Sequence, residues 1–379
     1  MPHCAVFLYF RSTVFQFYDK HNLDGLFLEL EYPVYADMRD LKVWVTMKLL
    51  EDPYQDYDQL ILVFTDGFYG SAGKFIREYL TALEESAKAH NVNVFWKPKL
   101  DEDYKYLDLQ FILKGNELFN SAEKAVEGDP ILFRRVRHAR LSLDRAIVKL
   151  FMRLESQWLA LGNDLSTFPI DGEVVTERLK TTWYQQADFR IINYTSLISQ
   201  KQQADLEVRL FECLATRKIP ELFKDVPLEK LYDYQAGKMR IFRKSMVVVE
   251  DSETETGFAN YIKLDNDTLD RYKLPMAWGI YNLSTKLTSR FPTIQEKDVP
   301  GPGYNWYKAG TYKVNSNHYM FFFSSWVLQC DFDDLDSDNP NQQYEVWARI
   351  KFEGPAFPHG NKNAKNGIFV ERIILIKKD

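Results

Sequence analysis

The stretch Leu49-Leu50-Glu51-Asp52-Pro53, then Tyr57-Asp58-Gln59-Leu60, Phe64 and Gly67-Phe68-Tyr69-Gly70-Ser71-Ala72-Gly73, separates two different hydrophobic patterns. Before it, residues 11–22 carry Val14, Phe15, Phe17 and Tyr18 and predict a short helix. Leu26-Phe27-Leu28-Glu29-Leu30-Glu31 is a short apolar run with two carboxylates near its end. Residues 37–50 then return to helical spacing, with Leu41, Trp44, Val45, Lys48 and Leu49 on one stripe. Helix, strand, helix is the alternation of an α/β barrel. A closed (β/α)8 barrel takes roughly 250 residues, and only 48 precede Leu49. Residues 1–66 are therefore expected to be the C-terminal remnant of an α/β (TIM-like) barrel, and the chain to be the C-terminal part of something larger.

From Ser71 onward the pattern is helical. Phe75, Ile76, Tyr79, Leu80 and Leu83 make one amphipathic face, and Leu107, Phe111, Leu118, Phe119, Ala122 and Val126 make the next. Gly128-Asp129-Pro130 predicts a stop and restart, with Asp129 as cap and Pro130 in the first turn, where no amide partner is lost. The helix that follows runs to Gly162, and two more are expected near 173–187 and 196–216. Residues 67–222 thus form an all-α domain.

Beyond about residue 225 short β-rich runs take over, at 246–250, 259–262, 277–281, 310–314, 344–350 and 368–376. Clusters such as Pro300-Gly301-Pro302-Gly303 and Ser337-Asp338-Asn339-Pro340-Asn341 separate them. Short strands with turn punctuation predict an antiparallel β-sandwich over 223–379. The fold class is α+β multidomain: barrel remnant, helical domain, sandwich.

Composition narrows the function classes. A formal net charge of −6 gives no electrostatic pull toward nucleic acid or an anionic membrane. No run approaches the roughly 18 apolar residues of a membrane span. The opening MPHCAVFLYF has neither the basic flank nor the small-residue cleavage site of a signal peptide. Cys4, Cys213 and Cys330 are far apart and fit no disulfide framework or metal spacing, the six histidines are scattered, and no phosphate or dinucleotide loop occurs. No cofactor and no metal are expected. Asp331, Asp333, Asp334, Asp336 and Asp338 are oxygen-rich enough to suit calcium but lack the EF-hand frame, so a solvated turn is the leading reading.

Two features point to carbohydrate. Glu29 and Glu31, two apart on one strand, share a face with side chains about 7 Å apart, a spacing compatible with two-carboxylate glycoside chemistry. Tyr32, in the loop that follows, is a candidate lining residue. Aromatic residues reach 15% of the chain, and Trp278, Tyr281, Trp306, Tyr307, Tyr319, Trp326 and Trp347 stud the β region. Sugar C–H faces stack on such rings while hydroxyls bond Asn, Asp and Gln, although most rings in a sandwich are core. Trp306 and Tyr307, beside the Pro/Gly turn, are the preferred exposed pair. Glu29, Glu31, Tyr32, Trp306 and Tyr307 make up the candidate substrate-binding set, with no catalytic residue assigned.

Several stretches resemble the bacterial family known as domain of unknown function 4838 (DUF4838). They are Gly25-Leu26-Phe27 with Glu29, then Asp37-Met38-Arg39-Asp40-Leu41-Lys42-Val43-Trp44, Lys48-Leu49-Leu50-Glu51-Asp52-Pro53, and Phe64-Thr65-Asp66-Gly67-Phe68-Tyr69-Gly70 through Ile76-Arg77-Glu78-Tyr79-Leu80. Leu118-Phe119-Asn120-Ser121-Ala122-Glu123 and the run Arg135 to Leu143 resemble its helical region. Lys351-Phe352-Glu353-Gly354-Pro355 and the run Ile368 to Leu375 are similar to the last strands of jelly-roll modules appended to such proteins. Members look like relatives of glycoside hydrolase family 20 among polysaccharide-processing proteins. That resemblance implies a secreted or periplasmic parent that acts on oligo- or polysaccharide. Family 20 enzymes use an adjacent Asp-Glu pair on a barrel strand; here Asp101-Glu102 falls in the helical region, so no catalytic acid carries over. The implied role is scaffold and glycan-binding module. The alternatives are an active glycoside hydrolase built on Glu29 and Glu31, or a purely structural or interaction protein. Unpaired strand edges of a partial barrel would favour homo-oligomers.

Overall fold

The computed structural model describes residues 13–23, 25–26, 37–91, 104–190, 219–241, 246–265, 269–270, 272–323, 328–332, 335 and 339–379. They fall into two compact units, Met1–Val208 and Arg209–Asp379. The class is α+β, with helices in the first unit and antiparallel sheets in the second.

Among the described residues the first unit is helical throughout. A helical segment at 13–20 (α1) precedes α2 (Arg39–Glu51), α3 (Tyr57–Tyr69), α4 (Gly73–Ala89), α5 (Leu109–Ala125), α6 (Pro130–Ala160) and α7 (Gly172–Arg190). The expected strand near 26–31 and the expected helix at 196–216 lie almost entirely outside the described residues. The turn-rich junction proves to hold a full helix, α3. It opens on Asp56, whose carboxylate accepts from the Gln59 amide, and runs up to Gly70, whose φ is 57°.

Aspartate starts three further helices in the same way. Asp108 accepts from Phe111, Asp129 from Ile131 and Leu132 with Pro130 behind it, and Asp171 from Glu173 and Val174. Each cap satisfies amides that the helix itself leaves orphaned. The apolar stripes then pack together: Ile76, Tyr79, Leu80 and Leu83 of α4 are buried, as are Phe111, Ile112, Leu118 and Phe119 of α5. Gly115 of α5 lets the helices come this close. A Cβ there would stand 3.2 Å from Leu143 of α6 and 3.3 Å from the Tyr79 ring of α4.

In the second unit β1 (Leu231–Gln235), β3 (Met246–Glu250), β4 (Phe258–Lys263), β7 (Tyr304–Lys313), β10 (Gln343–Glu353) and β11 (Gly367–Lys377) form one sheet. Its order is β3-β4-β11-β10-β7, with β1 also on β11. The second sheet has the order β2-β9-β8-β5-β6, from β2 (Met239–Ile241), β5 (Trp278–Asn282), β6 (Thr288–Arg290), β8 (His318–Phe322) and β9 (Leu328–Asp331). Every strand pairing is antiparallel. Trp278, Met320 and Phe322 from the smaller sheet share one core with Val346, Ile350, Val370 and Ile373 from the larger.

Strand β11 organises the larger sheet. Its first half pairs with β4 and its second half with β1 along the same edge, while β10 lies along the other. The register against β10 shifts between Arg349 and Ile350, which leaves Glu371 without an opposite residue. Such a bulge turns successive side chains to one side. Here it sets Glu371 and Arg372 together, each fully buried, on the face turned away from the shared core.

Candidate functional site

That face carries rings and charged groups side by side. On β10 the residues Glu345, Trp347, Arg349 and Lys351 alternate with core residues Val346, Ala348 and Ile350. Across the ladder Trp347 stands opposite Lys308, Arg349 opposite Trp306, and Lys351 opposite Tyr304. Rings and cations therefore alternate like a checkerboard. The Lys308 ammonium lies 5.2 Å from the Trp347 ring centroid, and the Arg349 guanidinium 5.9 Å from that of Trp306. Phe223 sets its edge against both indoles, at 4.9 Å from Trp306 and 5.6 Å from Trp347.

Beside the rings lies an ion network. Arg372 reaches Asp233 of β1 through Nε at 3.0 Å and again through Nη2, and Glu255 at 3.2 Å. Arg349 donates to Glu371 at 2.7 Å and lies 3.2 Å from Glu255. The turn between β3 and β4 folds over this row. Its Glu255 and Thr256 amides donate to Glu371, and its Asp251 accepts from Lys351 at 2.6 Å and from the Tyr304 hydroxyl at 2.8 Å. Burial pushes the Tyr304 phenol up, and the hydrogen bond to Asp251 pushes it further, so it stays a donor. Burial also pushes the Glu371 carboxyl up, beyond what Arg349 and Arg372 offset.

At the open end of β10, Glu345 gathers the rim. Trp347 Nε1 donates to its Oε1 at 2.7 Å, and Lys308 and Lys378 sit 3.0 and 2.9 Å from its Oε2. Burial would raise this carboxyl, but the bonds from Lys378, Trp347 and Lys308 outweigh it and bring the pKa to about 2. Lys308 and Lys378 are half exposed, whereas the centre at Arg372 and Asp233 is sealed.

The sequence-derived candidates fare unevenly. Trp306 does lie on this face, but half-buried under Phe223 rather than free-standing. Tyr307 differs from its expected exposure. It points to the opposite side of β7, into the shared core, 7% exposed, because adjacent strand residues face opposite ways. Trp278 is likewise core, and Tyr319 is buried against Tyr281. Glu29, Glu31 and Tyr32 lie outside the described residues. Of the acidic run only Asp331 is described, and it accepts from Gln329 inside the fold. No cluster able to hold a metal occurs among the described residues, and no described helix is long and apolar enough to cross a membrane. The partners Arg349, Lys351 and Glu345 were not singled out from sequence. Their signal was the period-two alternation of Gln343–Glu353, which assigns a face but not what covers it.

In the first unit the polar groups serve packing. Arg140, 1% exposed, donates to Asn120 at 2.8 Å and Glu123 at 2.9 Å, and also to Asn116. Arg178 of α7 grips Asp144 at 2.8 and 2.6 Å. Ser142 donates to the buried Asp37 at 2.6 Å, and His138 approaches Asp40 at 3.7 Å. These bonds tie the turn before α2 to α6.

The protein is thus an α+β chain with a helical unit closed by internal ion pairs and an antiparallel β unit with a charged, aromatic outer face. Residues 9–81 match the model of the family described as Domain of unknown function (DUF4838). No curated protein and no solved structure matches the chain.

Proposed function

We propose that the β unit is a carbohydrate-binding module of a glycan-processing protein, with the outer face around Trp306 and Trp347 as its binding surface and the helical unit as scaffold. Supporting this reading is the cross-strand checkerboard of two half-buried indoles with Lys308 and Arg349. An indole face offers stacking area to sugar C–H groups, and fixed ion-paired side chains beside it offer donors and acceptors to hydroxyls at little ordering cost. The jelly-roll character of the sandwich and the kinship of residues 1–66 to a glycoside-hydrolase barrel belong to the same proposal. So do a polysaccharide partner and a secreted or periplasmic setting. No hydrolytic step is assigned.

The test is retention of the full chain on a glycan array and on insoluble polysaccharides. Trp347→Ala and Trp306→Ala are expected to weaken retention about tenfold, roughly 1.4 kcal/mol each. Circular dichroism of each variant must match the parent. Binding that both substitutions leave unchanged would remove the proposal.

A further inference from the structure

The charge pattern of this face narrows the class of ligand. Every cation on it already faces a carboxylate of this chain. Lys351 lies between Asp251 and Glu253, and Arg372 between Asp233 and Glu255. Arg349 is shared by Glu255 and Glu371, while Lys308 and Lys378 share Glu345. Five cations thus meet six carboxylates. Two of those carboxylates keep solvent exposure: Glu253 at 61% and Glu255 at 35%.

An incoming carboxylate or sulfate would have to displace one of these groups, and it would approach a face with surplus negative charge. A hydroxylated, uncharged ligand displaces nothing. Its hydroxyls donate to lone pairs left over on Glu255 and Glu345, while its C–H groups lie on the open parts of the indole faces. From this geometry, and resting on the carbohydrate reading above, we infer that the outer face selects neutral glycans and rejects uronate or sulfated ones. The turn between β3 and β4 is the selecting element, because it supplies Asp251, Glu253 and Glu255. It acts as a built-in anion occupying the sites that an acidic sugar would need.

Native affinity electrophoresis of the full chain separates the outcomes. Gels contain a neutral polysaccharide (mixed-linkage β-glucan, xylan or galactomannan) or an acidic one (polygalacturonate or alginate). Retardation by at least one neutral polymer and by neither acidic one is expected. Glu253→Gln with Glu255→Gln, both at exposed positions, releases cationic capacity and is expected to bring at least threefold greater retardation by polygalacturonate. Wild-type retardation by an acidic polymer, or a double variant no better on polygalacturonate, overturns the neutral selection while the glycan reading stands. Retardation by no polymer of either kind overturns the glycan reading itself.

Discussion

The two units of this protein bury arginine in comparable depth but surround it differently. In the helical unit Arg140 is held by Asn116, Asn120 and Glu123 of one neighbouring helix, with Asp144 of its own helix 3.4 Å from Nε, and its two carboxylate partners are only 12% and 2% exposed. In the β unit Arg372 is equally sealed, yet the network continues outward through Glu255 and Arg349 to partly exposed groups at the rim. A closed cluster can only specify packing. A cluster that grades from sealed centre to open rim builds a rigid surface, because the exposed groups inherit fixed positions from buried partners. That gradient is why the β face, and not the helical ion cluster, is the candidate site.

The sharpest way to break the comparison is to remove each arginine. Arg140→Met takes one of two arginines from Glu123, which keeps Arg137 at 2.9 Å, and Arg372→Met takes the arginine from Asp233 in a fully dry setting. Breaking a buried pair from one side costs about 3–5 kcal/mol. Peptide-resolved hydrogen exchange should show the loss confined to the unit that carries the substitution. Equal costs would mean that the networks match at their centres and differ only at the rim. A cost under about 1 kcal/mol for either would show that its centre is not sealed.

Ser142→Ala comes next in size. The Ser142 hydroxyl is bonded to Asp37 Oδ1, and Oδ2 of that buried carboxylate has no hydrogen-bond partner. Stripping the remaining bond leaves an unsatisfied acceptor, at a cost of about 1–3 kcal/mol. Chemical denaturation measures it, and Ser142→Thr should recover most of the loss. A neutral Ser142→Ala would show that the turn before α2 is not anchored through this bond.

How much of this contrast was legible in the sequence differs between the units. Helix positions follow from local rules, since the caps Asp56, Asp108, Asp129 and Asp171 and the apolar stripes are written within a few residues of each other. The long β10 was legible from alternation, and β11 from its apolar, β-branched run. Among the described residues β1, β2, β6, β8 and β9 have no counterpart in the expected strands. They are short and take their state from pairing: Leu231–Gln235 is a strand because it lies along the second half of β11. The candidate face was only partly readable for the same reason. Trp306 was visible as an aromatic beside a turn, but Phe223, which covers it, is 83 positions away in sequence. No spacing rule links the β3–β4 turn to Arg349 or Arg372.

At the rim, pH gives a graded probe. The Glu345 pKa is lowered from 4.5 to about 2. A carboxyl lowered by folding stabilises the fold above its unfolded pKa, and that contribution is lost as pH falls through the folded one. The stability difference between the parent and Glu345→Gln should therefore be constant above about pH 4.5 and shrink between 4.5 and about 2. Denaturant midpoints measured at intervals across that window test it. A difference that stays flat through the window would place Glu345 outside the network.

The smallest effect on stability is expected from Lys308→Ala, and it is the most informative about function. Lys308 is half exposed, pairs with Glu345 and covers part of the Trp347 ring. An exposed ion pair contributes only about 0.2–1 kcal/mol, and Lys378 remains to hold Glu345 in place. Unfolding should scarcely move. If the rim is a binding surface, however, removing this cation alters both the ring face and a hydroxyl donor, so retention on neutral polysaccharide should change severalfold in a protein of parental stability. In the helical cluster Arg140 and Asp144 are committed to packing, so substituting either moves stability first. Lys308→Ala that leaves both stability and retention unchanged would reduce the β rim to ordinary solvated surface and erase the distinction between the two units.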